Sequence, residues 1–97
     1  MPVRTAVVRA SVGLHARPAA FFVRAVQDTG LPVSISKAGG PPVDARSLLE
    51  VMTEDFACGC RVELAVALED VPDTATPEDV EDALDVLSAL LETSPSQ

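Results

Sequence analysis

Six consecutive residues, Gly13-Leu14-His15-Ala16-Arg17-Pro18, hold the side chains of this chain best suited to covalent chemistry. His15 is the only histidine. An imidazole is largely neutral near pH 7, with an ordinary pKa of about 6.5, so it can act as a nucleophile. The apolar spacing that follows predicts a helix over 16–27, which puts His15 where a loop becomes a helix. The first backbone N–H groups of a helix lack internal partners and carry partial positive charge, so the backbone of Ala16 and Arg17 forms a ready anion site. Arg17 adds a guanidinium fork suited to phosphate oxygens. A cation in a first helical turn is disfavoured by the dipole unless an anion is bound there. Nucleophile, anion cradle and cation together imply a phosphate carried on His15.

The elements that must position this group follow from pattern. Residues 3–10 are rich in β-branched side chains and read as a strand. In the helix over 16–27, Ala16, Ala19, Ala20, Val23 and Val26 or Gln27 form the apolar stripe. Pro18 is tolerated in the first turn, Arg24 lies outside, and Gly30 stops the helix. Val33, Ile35 and Lys37 alternate with Ser34 and Ser36, and a turn over 38–42 leads to a short strand over 43–45 as a hairpin. Ser47-Leu48-Leu49-Glu50 matches a capping box, with Glu50 reaching back to Ser47, and opens a short helix ending near Thr53. Residues 61–68 alternate most clearly, with Val62, Leu64, Val66 and Leu68 inward. Thr76 caps a last helix, with Pro77 first and Val80, Ala83, Leu84, Leu87, Leu90 and Leu91 as its stripe. The order β-α-β-β-α-β-α implies an α+β open-faced sandwich: a four-stranded antiparallel sheet covered by three helices on one face.

Composition narrows the function. Ninety-seven residues suit one domain, with a core over about 3–91 and a flexible tail over 92–97. The apolar fraction of 47% favours folding over disorder. With three Phe, no Trp or Tyr and a net charge of −8, a nucleic-acid surface is disfavoured. No run is long enough to span a membrane, and no secretory pattern opens the chain, so a cytoplasmic monomer is the expectation. Residues 1–49 carry six basic against two acidic side chains, and residues 50–97 carry one against thirteen. The half that contains His15 is thus basic, which can steer an acidic partner. Cys58 and Cys60 lack the spacing of a metal or redox pair, and no metal or cofactor is expected.

On these residues the chain resembles the histidine-containing phosphocarrier (HPr) family of the bacterial phosphoenolpyruvate:sugar phosphotransferase system. The resemblance rests on Gly13 to Pro18 with Ala19, Ala20, Phe22 and Val23, and is supported by Arg46-Ser47-Leu48. It implies that His15 is phosphorylated by Enzyme I and that the phosphoryl group passes to IIA components of sugar permeases. It makes Arg17 the phosphate contact, and Arg24, Leu48 and Met52 part of the partner face. It implies a phosphotransferase-system component rather than a stand-alone enzyme. It also makes Ser47 the counterpart of a serine that a regulatory kinase modifies in some members, although the capping box alone accounts for a serine there.

The chain departs from the family pattern in one region. Glu54-Asp55 replace a common apolar-glycine pair, Glu50 stands where some members have lysine, and the turn over 39–42 is one residue longer. These changes fall beside the implied partner face. They motivate an alternative, a regulatory module of a nitrogen, catabolite or dihydroxyacetone-kinase branch whose phosphorylation state selects partners. A small α/β binding domain with an incidental histidine is the remaining alternative.

Overall fold

The computed structural model describes residues 3–9, 16–54, 56 and 59–92. The expected loop over 11–14, His15, Asp55, Cys58 and the residues from Thr93 onward lie outside the described residues. The elements are β1 (Val3–Val7), α1 (Ala16–Thr29), β2 (Val33–Lys37), β3 (Val43–Asp44), α2 (Leu48–Thr53), β4 (Arg61–Val66), a 3-10 turn (Leu68–Asp70) and α3 (Pro77–Glu92). The strands form one sheet in the order β1-β4-β2-β3, and every neighbouring pair is antiparallel. The expected open-faced sandwich is the observed fold.

Period-two alternation explains why one face of the sheet is buried. In β4, Val62, Leu64 and Val66 are fully buried while Arg61 and Glu63 are exposed. Leu64 is the register partner of Ile35 on one side and of Arg4 on the other. Against this face pack Ala19, Phe22, Val23 and Val26 of α1, Val51 of α2, and Val80, Ala83, Leu84, Leu87 and Leu91 of α3. Phe56, in the connection between α2 and β4, is fully buried, and the Lys37 ammonium lies 6.0 Å from its ring centroid.

The departures from the sequence pattern have local causes. The first strand ends at Val7: Val8 bonds to both Gly59 and Cys60, which breaks the regular register, and the Arg9 N–H then donates to the Leu91 carbonyl at 2.9 Å. Helix α1 runs two residues further than expected. Thr29 Oγ1 donates back to the Val26 carbonyl at 2.6 Å, and Gly30, at φ +70°, then turns the chain out. Within α1, Phe22 rather than Ala20 lies in the core. Leu90, expected inward on α3, is exposed, so the buried stripe is one residue narrower than the pattern suggests. Strand β4 stops at Val66, and Leu68 belongs to the 3-10 turn. Glu92, placed in the tail by sequence, is the last residue of α3, and its carboxylate accepts the Val7 N–H at 3.1 Å.

The ends of α2 and α3 differ. Thr76 Oγ1 accepts the Asp79 N–H at 3.1 Å, and Asp79 Oδ2 accepts the Thr76 N–H at 3.0 Å, a reciprocal capping box. Ser47 caps α2 as expected, its Oγ accepting the Glu50 N–H at 3.3 Å. Glu50 does not return the bond to Ser47. Its carboxylate accepts the Asp44 N–H, while the Ser47 N–H donates to the Asp44 carbonyl at 3.0 Å.

Candidate functional site at the start of the first helix

Helix α1 begins at Ala16, the residue after His15, so the expected loop-to-helix junction is present on its described side. The first turn contains Arg17 and no acidic residue. Among the described residues Arg17 is exposed and has no ion-pair partner. Pro18 has no N–H to donate, so the free backbone donors of this turn are the N–H groups of Ala16 and Arg17. Ala19, Phe22 and Val23 are buried in the core, which fixes the axis of the helix and hence the direction of those donors. An anion held here meets backbone N–H groups, the positive end of a dipole and the exposed Arg17 guanidinium.

The chain is also anchored on the other side of the 10–15 stretch. The Val8 N–H donates to the Cys60 carbonyl at 2.9 Å, and the Gly59 N–H donates to the Val8 carbonyl at 2.7 Å. Gly59 has φ +87°, a left-handed conformation that L side chains rarely adopt. This clamp ties the approach to His15 to the entry of β4. It was not read from the sequence, where Gly59 stood out only as the spacer between two cysteines. Cys60 is partly buried, and its thiol donates to the Arg61 carbonyl at 3.6 Å.

The remaining sequence candidates lie on α1 and α2, which pack together. The Gln27 side-chain amide donates to the Arg46 carbonyl at 3.0 Å and links the two segments. Arg24 is exposed, 4.0 Å from Asp28 one turn on. Leu48 is exposed at 41% and Leu49 at 78%, whereas Val51 is fully buried. Met52 is half-buried and packs against the core, so it offers less surface than Leu49. Ser47 is half-buried beside a compact polar cluster. Arg46 donates both its N–H and its Nε to Asp44 Oδ1, at 2.9 and 3.1 Å. Burial raises the Asp44 pKa, but the Arg46 backbone N–H and guanidinium outweigh it and hold the carboxyl below its ordinary value.

Arg4 of β1 pairs with Glu81 and Asp85 of α3. These two carboxylates hold its pKa above the ordinary value, chiefly through the hydrogen bond to Asp85. Part of the basic excess of the first half is therefore spent on joining β1 to the acidic helix. Arg17 and Arg24 remain as the exposed basic residues of α1.

Comparison with known proteins agrees with this geometry. The chain is 62% identical over 40 residues to phosphocarrier protein HPr of Streptomyces coelicolor; the match covers 41% of this chain and 43% of that protein, less than half of its length. Its fold superposes on the crystal structure of a phosphocarrier protein HPr from Bacillus anthracis with a TM-score of 0.78 and 26% identity, over 94% of this chain and 96% of the other. It superposes on Crh, the catabolite repression HPr of Bacillus subtilis, with a TM-score of 0.64 and 30% identity, over 97% and 100%. The family model of the PTS HPr component phosphorylation site matches residues 3–93, which spans every described residue. With that match added to the sandwich fold and the helix end after His15, the chain belongs to the PTS HPr family.

Proposed function

We propose that this chain is a phosphocarrier that accepts a phosphoryl group on His15 from phospho-Enzyme I and passes it to IIA components of sugar permeases. The observation that carries the reading is the exposed Arg17, without an ion-pair partner among the described residues, in a first helical turn that has no acidic residue and directly follows the only histidine. In the loading step an imidazole nitrogen of His15 attacks phosphorus. The donor's bond to phosphorus breaks, and its electron pair leaves with the donor. Unloading reverses these roles with the acceptor. Charge on the moving group is met by Arg17 and by the backbone N–H groups of Ala16 and Arg17, and such positioning does most of the work in phosphoryl transfer. The donors belong to the carrier and so favour bound phosphate without choosing between partners.

The test is incubation with phosphoenolpyruvate and cognate Enzyme I. Acid-labile phosphate on the wild type and none on His15→Ala is the expected result; an unlabelled wild type sinks the reading.

A regulatory branch is the second reading. It is favoured by the likeness to Crh, described as a catabolite repression HPr, and by the acidic Glu50 on α2 and Glu54 at its C-terminal end, near the exposed leucines. A kinase acting on Ser47 belongs to this reading. Phosphate there would add negative charge next to Glu50 and repel an acidic partner. Deletion of the gene separates the two: a broad defect in sugar uptake supports transport, and unchanged uptake with altered gene expression supports regulation.

A further inference from the structure

The backbone N–H groups of Val7 and Arg9 point away from the sheet. Along an extended chain these groups alternate in direction, and the Val8 N–H between them points at the Cys60 carbonyl beside β4. Strand β1 is an edge of the sheet, so its outward donors are ordinarily left to water. Here the last turn of α3 takes both. The Glu92 carboxylate accepts the Val7 N–H at 3.1 Å, and the Leu91 carbonyl accepts the Arg9 N–H at 2.9 Å. The Leu91 carbonyl is among those at a helix end that lack a partner within the helix. Val7, Val8 and Arg9 are therefore held from two sides, by Gly59 and Cys60 at the entry of β4 and by the end of α3.

Glu92 is otherwise a poor choice for its place. A carboxylate in the last turn of a helix sits against the negative end of the dipole, and no basic residue in that turn offsets it. It is also exposed, so packing does not account for it. What it gains is the Val7 N–H. With about 3.6 residues per turn, Glu81, Asp85 and Glu92 fall within about 40° of one another around α3. Glu81 and Asp85 pair with Arg4 of β1. One acidic stripe thus follows β1 from Arg4 to Val7, and it ends where the chain leaves for His15.

His15 follows Arg9 by six residues, and α1 begins at the next residue, Ala16. The segment between has an anchor at each end. Ala19, Phe22 and Val23 set the helix side through the core, and the bonds at Val7, Val8 and Arg9 set the strand side. A nucleophile held in its reactive geometry gains rate, and a small misplacement is costly. We propose that Glu92 is a positioning residue for phosphoryl transfer at His15, a role that rests on the carrier reading above. Its carboxylate fixes the strand side of the histidine segment through the Val7 N–H, and it acts through the backbone rather than on the phosphate.

Single-turnover transfer from phospho-Enzyme I, measured over a range of Enzyme I concentrations, tests this with the wild type, Glu92→Ala, Glu92→Gln and Asp85→Ala. Glu92→Ala should lower the rate at saturation about tenfold and leave the half-saturating concentration unchanged, because aim is lost and docking is not. Glu92→Gln should restore the rate, because its amide oxygen still accepts the Val7 N–H. Asp85→Ala, which breaks a contact to Arg4 on the same stripe, should transfer like the wild type. Further readouts need no Enzyme I. Exchange of the Val7 amide should accelerate in Glu92→Ala and return to normal in Glu92→Gln. The Hε1 resonance of the single imidazole should move in Glu92→Ala and stay in place in the other two variants. Transfer by Glu92→Ala at the wild-type rate overturns the role, as does equal slowing in Asp85→Ala or a loss that Glu92→Gln does not restore. A wild type that takes no phosphate sinks the carrier reading instead, and an imidazole resonance unmoved in Glu92→Ala then overturns the positioning role on its own.

Discussion

The carboxylate of Glu50 accepts the backbone N–H of Asp44 at 3.1 Å, although Glu50 sits three residues after the N-cap Ser47, where a capping box would turn it back. The bond ties the first turn of α2 to β3 instead of closing the helix on itself. Helix α3 has the complete box between Thr76 and Asp79. The two caps should therefore respond differently to truncation. Thr76→Ala should cost about 1–2 kcal/mol and Ser47→Ala about 0.5–1 kcal/mol in urea unfolding at pH 7. Ser47→Asp, which keeps an acceptor at the N-cap, should lose less than Ser47→Ala. Equal losses at Thr76 and Ser47 would show that the reciprocal bond contributes nothing.

Arg17 is exposed and has no ion-pair partner among the described residues, so its side chain contributes little to folding. Arg17→Ala should unfold within about 0.5 kcal/mol of the wild type. Its rate of phosphoryl transfer from Enzyme I should fall by about tenfold or more, since a charge-stabilising donor is lost. Arg17→Lys should recover part of the rate, because it restores the charge without the planar fork. The check is quench-flow labelling of the three proteins beside their denaturation curves. Transfer at the wild-type rate in Arg17→Ala would remove the role assigned to it.

Much of this was legible in the sequence, for physical reasons that differ by element. Val33–Lys37 was read to the residue because alternation, a preceding Pro and a following Gly-rich turn all agree. The cap at Thr76 was equally plain, because its partner lies three residues away in the chain. The acceptor chosen by Glu50 was not legible, since Asp44 is brought there by the β2–β3 hairpin and not by local spacing. Phe21 escaped notice and Leu90 was placed inward because an apolar side chain has the same character on either face of a helix, and only packing shows which face is covered. For the candidate site, the motif around His15 was visible at once. The clamp formed by Val8, Gly59 and Cys60 was not, because it joins segments some fifty residues apart.

The Asp44–Arg46 cluster predicts a pH dependence. The Asp44 pKa is lowered in the folded state, so the folded protein holds that proton less tightly than the unfolded chain does. Its stabilisation is complete above the unfolded carboxylate value of about 3.9 and is lost as the pH falls through the lower folded value. The cluster is partly exposed and screened by solvent, so the effect is small, below about 1 kcal/mol. Asp44→Asn should be less stable than the wild type at pH 7, and the difference should shrink below pH 4. Urea midpoints for the two proteins across pH 2.5–7, compared by double difference, measure it. A gap that is constant with pH would assign the loss to hydrogen-bond geometry and not to charge.

Gly59 gives the most direct handle on the approach to His15. An added Cβ would meet no atom within 4 Å, so Gly59→Ala creates no clash. Its cost is conformational, because φ is +87° and alanine prefers negative φ. The substitution should lower stability by about 1 kcal/mol, and it acts on the clamp in particular. The Gly59 N–H donates to the Val8 carbonyl, and the Val8 N–H donates to the neighbouring Cys60 carbonyl, so relaxing φ at 59 strains both bonds. Hydrogen exchange should accelerate at the Val8 amide, while the Leu64 amide in the middle of β4 keeps its protection. If residues 8 and 9 help to aim the chain towards His15, phosphoryl transfer should slow in Gly59→Ala with Arg17 intact. Gly39→Ala is the control: its φ of +79° carries a similar strain, but it lies in the hairpin turn between β2 and β3. Equal slowing in the two variants would attribute the effect to global destabilisation, whereas slowing in Gly59→Ala alone locates it at the clamp.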